Sequence, residues 1–251
     1  MGRKCCVVEL DIVPYRQGLE LQTRIFDLVK GSALPGVLLL LQHSPVVTIG
    51  KAGGWDNMLV SREDFRSQGI EIYETSRGGN ITYHGPGQLV GYPILNLDYW
   101  QKDVHWYLRN LEQVIINTLR VFGVEAGRKP KYTGVWVGDR KIAAIGVSVR
   151  NWITTHGFAL QITTENLHHF NLINPCGITR FGVAALEELV PGVCFGEVAE
   201  AVKAGFSEVF ACQLTAMDIT SIAGDLYGNQ ASLAGGQGAG PGSPGRNGKP
   251  V

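Results

Sequence analysis

The chain has 251 residues, 45% of them apolar and 18% charged, and its basic and acidic side chains balance to zero net charge. That length can bury a sizeable core without cross-links. The neutral balance argues against nucleic acid as the main partner, because phosphate neutralisation needs a basic surplus. No apolar run reaches the roughly 18 residues needed to cross a bilayer, and the first residues show neither a secretory h-region nor a transit pattern, so a cytoplasmic protein is expected.

In chain order, residues 6–10 read as a strand. Residues 18–30 place Leu21, Ile25, Leu28 and Val29 at helical spacing. The continuous apolar run 37–41 predicts a buried strand. Val46–Ile49 predicts a second strand after the Ser44-Pro45 breaker, and Glu71–Glu74 a short third. A glycine-rich block covers 77–92 and leads into a strand-like stretch, 93–97. Residues 104–122 form the longest predicted helix, with Leu108, Leu111, Ile115, Leu119 and Phe122 on one face. From Val135 the period changes to two: 135–137 and 141–149 flank Gly138-Asp139-Arg140 as a hairpin, and 156–163 is a further strand. Residues 194–212 read as an amphipathic helix on Val198, Val202, Phe206, Val209 and Phe210. Residues 228–251 hold eight glycines, three prolines and no aromatic. Such a segment cannot bury enough surface to offset its ordering entropy. The expected division is therefore a catalytic domain at 1–226 and a disordered Gly/Pro-rich tail at 227–251. Helices and strands mix without strict βαβ alternation, which predicts an α+β fold with antiparallel hairpins supplying much of the sheet.

Three segments carry chemistry. The first is Arg77-Gly78-Gly79-Asn80-Ile81-Thr82-Tyr83-His84-Gly85-Pro86-Gly87-Gln88. Its glycines let backbone approach a ligand and present N–H groups, while Arg77, His84 and Gln88 bring polar groups to the same place. The second is Lys141-Ile142-Ala143-Ala144-Ile145-Gly146. In a regular strand Lys141 shares a face with Ala143, Ile145, Val147 and Val149, so it reads as a partly desolvated lysine, with snorkelling at a strand end as the plainer alternative. The third is Asn174-Pro175-Cys176-Gly177-Ile178, a turn that favours an exposed thiol. A reactive thiolate needs a nearby cation, and Lys141 is the natural candidate.

The other cysteines, Cys5, Cys6, Cys194 and Cys212, read as structural. No Cys-x-x-Cys pair exists, so neither a metal nor a disulfide framework is expected. His168 and His169 read as surface or packing residues that do not share one site. Arg128, Lys129, Lys131, Arg140, Lys141 and Arg150 are opposed in their stretch by Asp139 alone, which suggests a basic docking region.

Together these segments resemble the octanoyltransferase family of lipoate biosynthesis, over about residues 5–215. The resemblance rests on Arg77 through Ile94, Lys141-Ile-Ala-Ala-Ile-Gly146, His156-Gly-Phe-Ala-Leu160 and Pro175-Cys-Gly-Ile178, in this order. It implies a fold like the catalytic domain of biotin protein ligases and lipoate-protein ligases. It implies transfer of an octanoyl group from octanoyl-acyl carrier protein to a lysine of lipoyl domains, either of 2-oxoacid dehydrogenase complexes or of the glycine cleavage H protein. No cofactor, metal, nucleic acid or membrane is implied. Cys176 matches the family's nucleophile and Lys141 its activator. Arg77, Gly78, Gly79, Asn80, Ile81, Thr82, Tyr83, His84, Ala144, Ile145, Gly146, Gly157, Phe158 and Ala159 match its substrate-binding segments. Gln161, the Ala184-Ala185 pair and Gln42 depart from the family's usual residues. An ATP-dependent lipoate-protein ligase on the same fold is the alternative reading, and a non-catalytic acyl-binding protein is a more distant one.

Overall fold

A β-α-β unit opens the chain: β1 (Arg3–Val13), α1 (Tyr15–Gly31) and β2 (Gly36–His43), with β1 and β2 parallel. The computed structural model describes residues 2–174 and 181–223. After the first unit come β3 (Val46–Ile49), α2 (Arg62–Ser67), β4 (Glu71–Glu74), β5 (Ile81–His84), β6 (Gln88–Leu95) and α3 (Val104–Val121). Then follow β7 (Gly127–Lys129), β8 (Tyr132–Val137), β9 (Arg140–Arg150), β10 (Ile153–Gln161), α4 (Phe195–Val209), β11 (Cys212–Ala216) and α5 (Thr220–Ala223).

Eight strands form one sheet in the order β11-β1-β2-β6-β10-β9-β8-β7, and β4-β3-β5 form a second. β1 runs parallel to both of its neighbours, while β2, β6, β10, β9, β8 and β7 alternate antiparallel. The class is α+β, as expected, and the antiparallel hairpins supply most of the large sheet.

Three layers result. On one face α1 buries Leu21, Ile25, Phe26 and Val29 against Val8, Leu39, Leu41 and Val90. Leu28 belongs to the predicted stripe but is exposed, and Phe26 takes its place. On the other face α3 and α4 bury Leu111, Val114, Ile115, Leu119, Val198, Val202 and Phe206. Asp103 starts α3 by accepting the N–H groups of His105 and Trp106 at 2.7 and 3.1 Å, a cap that satisfies two helix-end donors. The small sheet has its own core of Val47, Ile49, Phe65, Ile81, Tyr83 and Ile173.

The structure corrects the sequence expectations in four places. The glycine-rich block is largely strand, because β5 and most of β6 fall inside it. Cys212 is not helical: α4 ends at Val209, Ala211 takes φ 47°, and Cys212 begins β11 against Arg3 of β1. His168 and His169, expected not to share one site, sit together on a 3₁₀ turn, and their rings meet at 4.0 Å. In β9 the pairing slips, so that Val135 faces Ala143 while Trp136 faces Lys141. Ile142 is thus the extra residue of a bulge. The strict alternation from Lys141 is broken, and Ile142 and Ala143 are both buried. Residues 227–251 and the Cys176 turn lie outside the described residues.

Candidate active site

The glycine-rich block lies directly over β9. The Gly78 N–H donates to Val147 O at 2.8 Å. A Cβ on Gly146 would sit 2.8 Å from Gly78 O, so that approach requires glycine there. Gly79 turns the chain with φ 84°, a left-handed conformation that glycine adopts without strain. Arg77, almost fully buried, ties the block to β3. Its Nη2 donates to Thr48 O at 2.6 Å and to Thr48 Oγ1 at 2.9 Å, its Nε to Thr48 Oγ1 at 3.1 Å, and its Nη1 to Gly78 O at 3.0 Å.

This loop, β8 to β10 and the start of α3 enclose a cavity of about 560 Å³. One wall is polar, with Tyr15, Arg77, Asn80, Thr82, His84 and His156. The other is apolar, with Val104 and Leu108 of α3, Trp136, Ile142 and Phe158. Residues 77–82, His84, Lys141, 144–146 and 157–159 of the sequence-based candidates all line it. Tyr83 does not; its ring is buried in the small sheet's core against His169 and Phe170. Cys176 lies outside the described residues.

His84 and His156 in this polar lining, and His43 behind it, are all buried, and burial is the leading cause that depresses each of them. His84 is held down to about 3, with the His43 charge adding to the effect. His43 and His156 are each held down to about 4. All three are neutral near pH 7. His84 Nδ1 bonds Gln88 Oε1 at 2.6 Å. His43 Nδ1 donates to Val13 O at 2.8 Å, which leaves Nε2 to accept the Tyr92 hydroxyl at 2.7 Å. His156 takes φ 57°, bonds Ser76 Oγ through Nε2 at 3.1 Å, and donates its backbone N–H to Gln22 Oε1 at 2.7 Å. Gln42, one of the departures from the family pattern, accepts the Gly87 N–H at 2.8 Å and so pins the far end of the block.

Lys141 is half-buried, with Nζ 4.9 Å from the centre of the Trp136 ring. Its backbone N–H donates to Gly182 O at 2.9 Å and its carbonyl accepts the Ala184 N–H at 3.0 Å. The stretch that follows residues 175–180 is thereby fastened to the cavity wall, where Phe181, Gly182 and Val183 are exposed to the same space. On the other flank the Asn174 N–H donates to Asn57 O at 2.7 Å, and the Leu59 N–H to Leu172 O at 2.9 Å. Ala184 and Ala185 are fully buried.

The basic stretch is less open than its composition suggested. Arg128 pairs with the buried Glu112 at 2.8 Å, Arg140 with Glu188 at 2.7 Å, and Lys129 with Asp139. Arg150 lies over Phe26, 4.5 Å from its ring centre.

Sequence reasoning did not single out Tyr15, Leu108, Trp136, His156 or Phe181 as site residues. His156 opens one of the recognised motifs and could have been found there. Leu108 stood in the predicted core stripe of α3, and nothing in its spacing separates a core leucine from a cavity leucine. Among the described residues no cluster of three or more His, Cys, Asp or Glu side chains could hold a metal ion. No helix there is long and apolar enough to cross a membrane.

Residues 14–207 match the family described as the lipoyl protein ligase A/B catalytic domain. An octanoyltransferase of Clostridium kluyveri is 54% identical over 213 residues, covering 84% of this chain and 91% of that protein. Among solved structures, the bipartite lipoate protein ligase of Thermoplasma acidophilum aligns with a TM-score of 0.70 at 20% identity, covering 93% of this chain and 95% of that one. The biotin protein ligase of Aquifex aeolicus, solved with biotin and ATP, aligns with a TM-score of 0.52 at 12% identity over 82% of this chain and 70% of that one.

Proposed function

The chain belongs to the octanoyltransferases of the lipoyl protein ligase A/B catalytic domain family, and we propose that it works through a thioester on Cys176 formed with the help of Lys141. It is an acyltransferase that moves an octanoyl group in protein lipoylation. In our reading the donor is octanoyl-acyl carrier protein. The acceptor is a lysine of a lipoyl domain in a 2-oxoacid dehydrogenase complex or of the glycine cleavage H protein, and the work is done in the cytoplasm by residues 1–226.

The Cys176 thiol gives its proton to neutral Lys141, and the ammonium so formed stabilises the thiolate. The thiolate attacks the thioester carbonyl of the donor, and the carrier thiol leaves with a proton. The acceptor amine then attacks the Cys176 thioester, and Lys141 takes the amine proton as the amide forms. Thioester to amide is downhill, so the transfer needs no ATP. Backbone N–H groups of the glycine-rich loop beyond Gly78 supply donors for the carbonyl oxygen. The apolar wall of Leu108, Trp136 and Phe158 receives the hydrocarbon. Burial there contributes about 0.8 kcal/mol per CH₂ and so selects for length.

One observation carries the reading most: Lys141 is backbone-paired to Gly182 and Ala184 at the wall of the cavity, so the chain leaving the Cys176 turn passes directly beside it. The test is intact mass after incubation with octanoyl-acyl carrier protein, without ATP or acceptor. One octanoyl adduct, labile to hydroxylamine and missing in Cys176→Ser and Lys141→Ala, is the expected result. An active protein that shows no adduct overturns the covalent mechanism.

A further inference from the structure

Of the six basic side chains between residues 128 and 150, Lys131 is the exception. Arg128, Lys129 and Arg140 are matched by carboxylates, Arg150 rests on Phe26, and Lys141 is inside the cavity. Lys131 lines the same cavity but is exposed, and its ammonium has no ion pair or hydrogen bond among the described residues. It is therefore the unmatched cation at the mouth.

Its backbone is a second observation. Lys131 follows Pro130 in the two-residue turn that joins Lys129 to Tyr132, and it takes φ 69°. A turn with proline first and positive φ second normally takes glycine or asparagine there. A lysine keeps that conformation at a cost. Along β8 it stands up to about 16 Å from Trp136, the residue that faces Lys141, at 3.3 Å per residue.

An acyl carrier presents its cargo at the tip of a pantetheine arm, which a phosphodiester joins to the carrier. A donor whose thioester reaches Lys141 lays that arm along the cavity and its phosphate at the mouth. We propose that Lys131 receives the phosphate of the pantetheine arm, and that this contact, not a broad basic face, gives the donor its electrostatic recognition. The inference rests on the octanoyl-transfer reading above and assigns its donor subsite.

The test uses the full chain, a lipoyl-domain acceptor and two small donors, octanoyl-phosphopantetheine and octanoyl-pantetheine, which carry no acidic protein surface. Release of free thiol gives kcat/KM for each. The wild type is expected to prefer the phosphorylated donor by about tenfold, the scale of one charge-assisted contact, with the preference shrinking as salt is raised. Lys131→Asn keeps a residue that tolerates positive φ and should bring the ratio of the two constants close to one, while Lys131→Arg should restore it. A wild-type ratio near one, or a ratio that Lys131→Asn leaves unchanged, overturns the proposal. Thiol release from neither donor by the wild type would overturn the transfer reading itself, and this subsite with it.

Discussion

The two faces of the large sheet are built on different chemistry. Beneath α3 and α4 the interior is aliphatic and aromatic, with Phe206 and Phe210 at 4.6 Å and Leu111, Ile115 and Val202 around them. The buried charge of that face, Glu112, is met by Arg109, Arg128 and the Gly134 N–H. On the α1 side the apolar stripe gives way, toward the cavity, to Gln22, His43, Tyr92 and His156. There the Gln22 amide nitrogen and His156 Nδ1 are buried without a partner among the described residues. Each such group costs about 1–3 kcal/mol. One face supplies stability, and the other gives some of it up to hold neutral donors and acceptors in fixed positions beside the reaction space.

The contrast can be broken first on the apolar side. Phe206→Ala should cost about 3–5 kcal/mol through lost burial and a cavity, seen as a lower melting temperature, with kcat per folded molecule unchanged. The polar side should answer to acid. His43, His84 and His156 have folded values depressed to about 4, 3 and 4, whereas in the unfolded chain they take up protons near 6.5. The unfolded state therefore binds more protons below 6.5, and the stability present above that pH is lost as pH falls toward 4. Between pH 6.5 and 5.5 the loss should be on the order of 1 kcal/mol for each histidine. Denaturant melts across this range should show it, with the same slope in Phe206→Ala; a flat profile would mean that the three rings titrate in the fold as they do in the unfolded chain. Gly146→Val should push Gly78 off β9 and lower kcat/KM about 10²-fold, since misplacement of roughly 1 Å has that scale, with little change in melting temperature. The smallest effect belongs to the apolar wall. Leu108→Ala should shift preference toward longer acyl chains by several-fold, at about 0.8 kcal/mol per accommodated CH₂, measured with decanoyl and octanoyl donors in competition.

Much of this was legible in the sequence where a local rule decides. β3 and β4 match the short strands expected at Val46–Ile49, after its breaker, and at Glu71–Glu74. α3 follows from its stripe, and the β8–β9 hairpin from Gly138 and Asp139. The glycine-rich block, the Lys141 segment and the His156 motif do converge on one cavity. What the sequence hid was decided by distant partners. β5 and β6 form within glycines because β3 and β2 are there to pair with them. The Ile142 bulge depends on the match between two strands. His43 reads as an isolated polar residue until Val13 and Tyr92 surround it, and the basic stretch reads as open until Glu112 and Glu188 arrive from elsewhere in the chain.

β1 lies between β2 and β11, so its second row of hydrogen bonds waits for residues 212–216. A chain emerging from the ribosome can assemble the meander from β2 to β7 while one flank of Arg3, Lys4, Cys5, Cys6 and Val7 is still bare. An uncovered strand of that kind is a template for pairing with another molecule. The late arrival of residues 212–216 thus also closes the sheet against self-association, and a chain cut short of Cys212 would leave that template open.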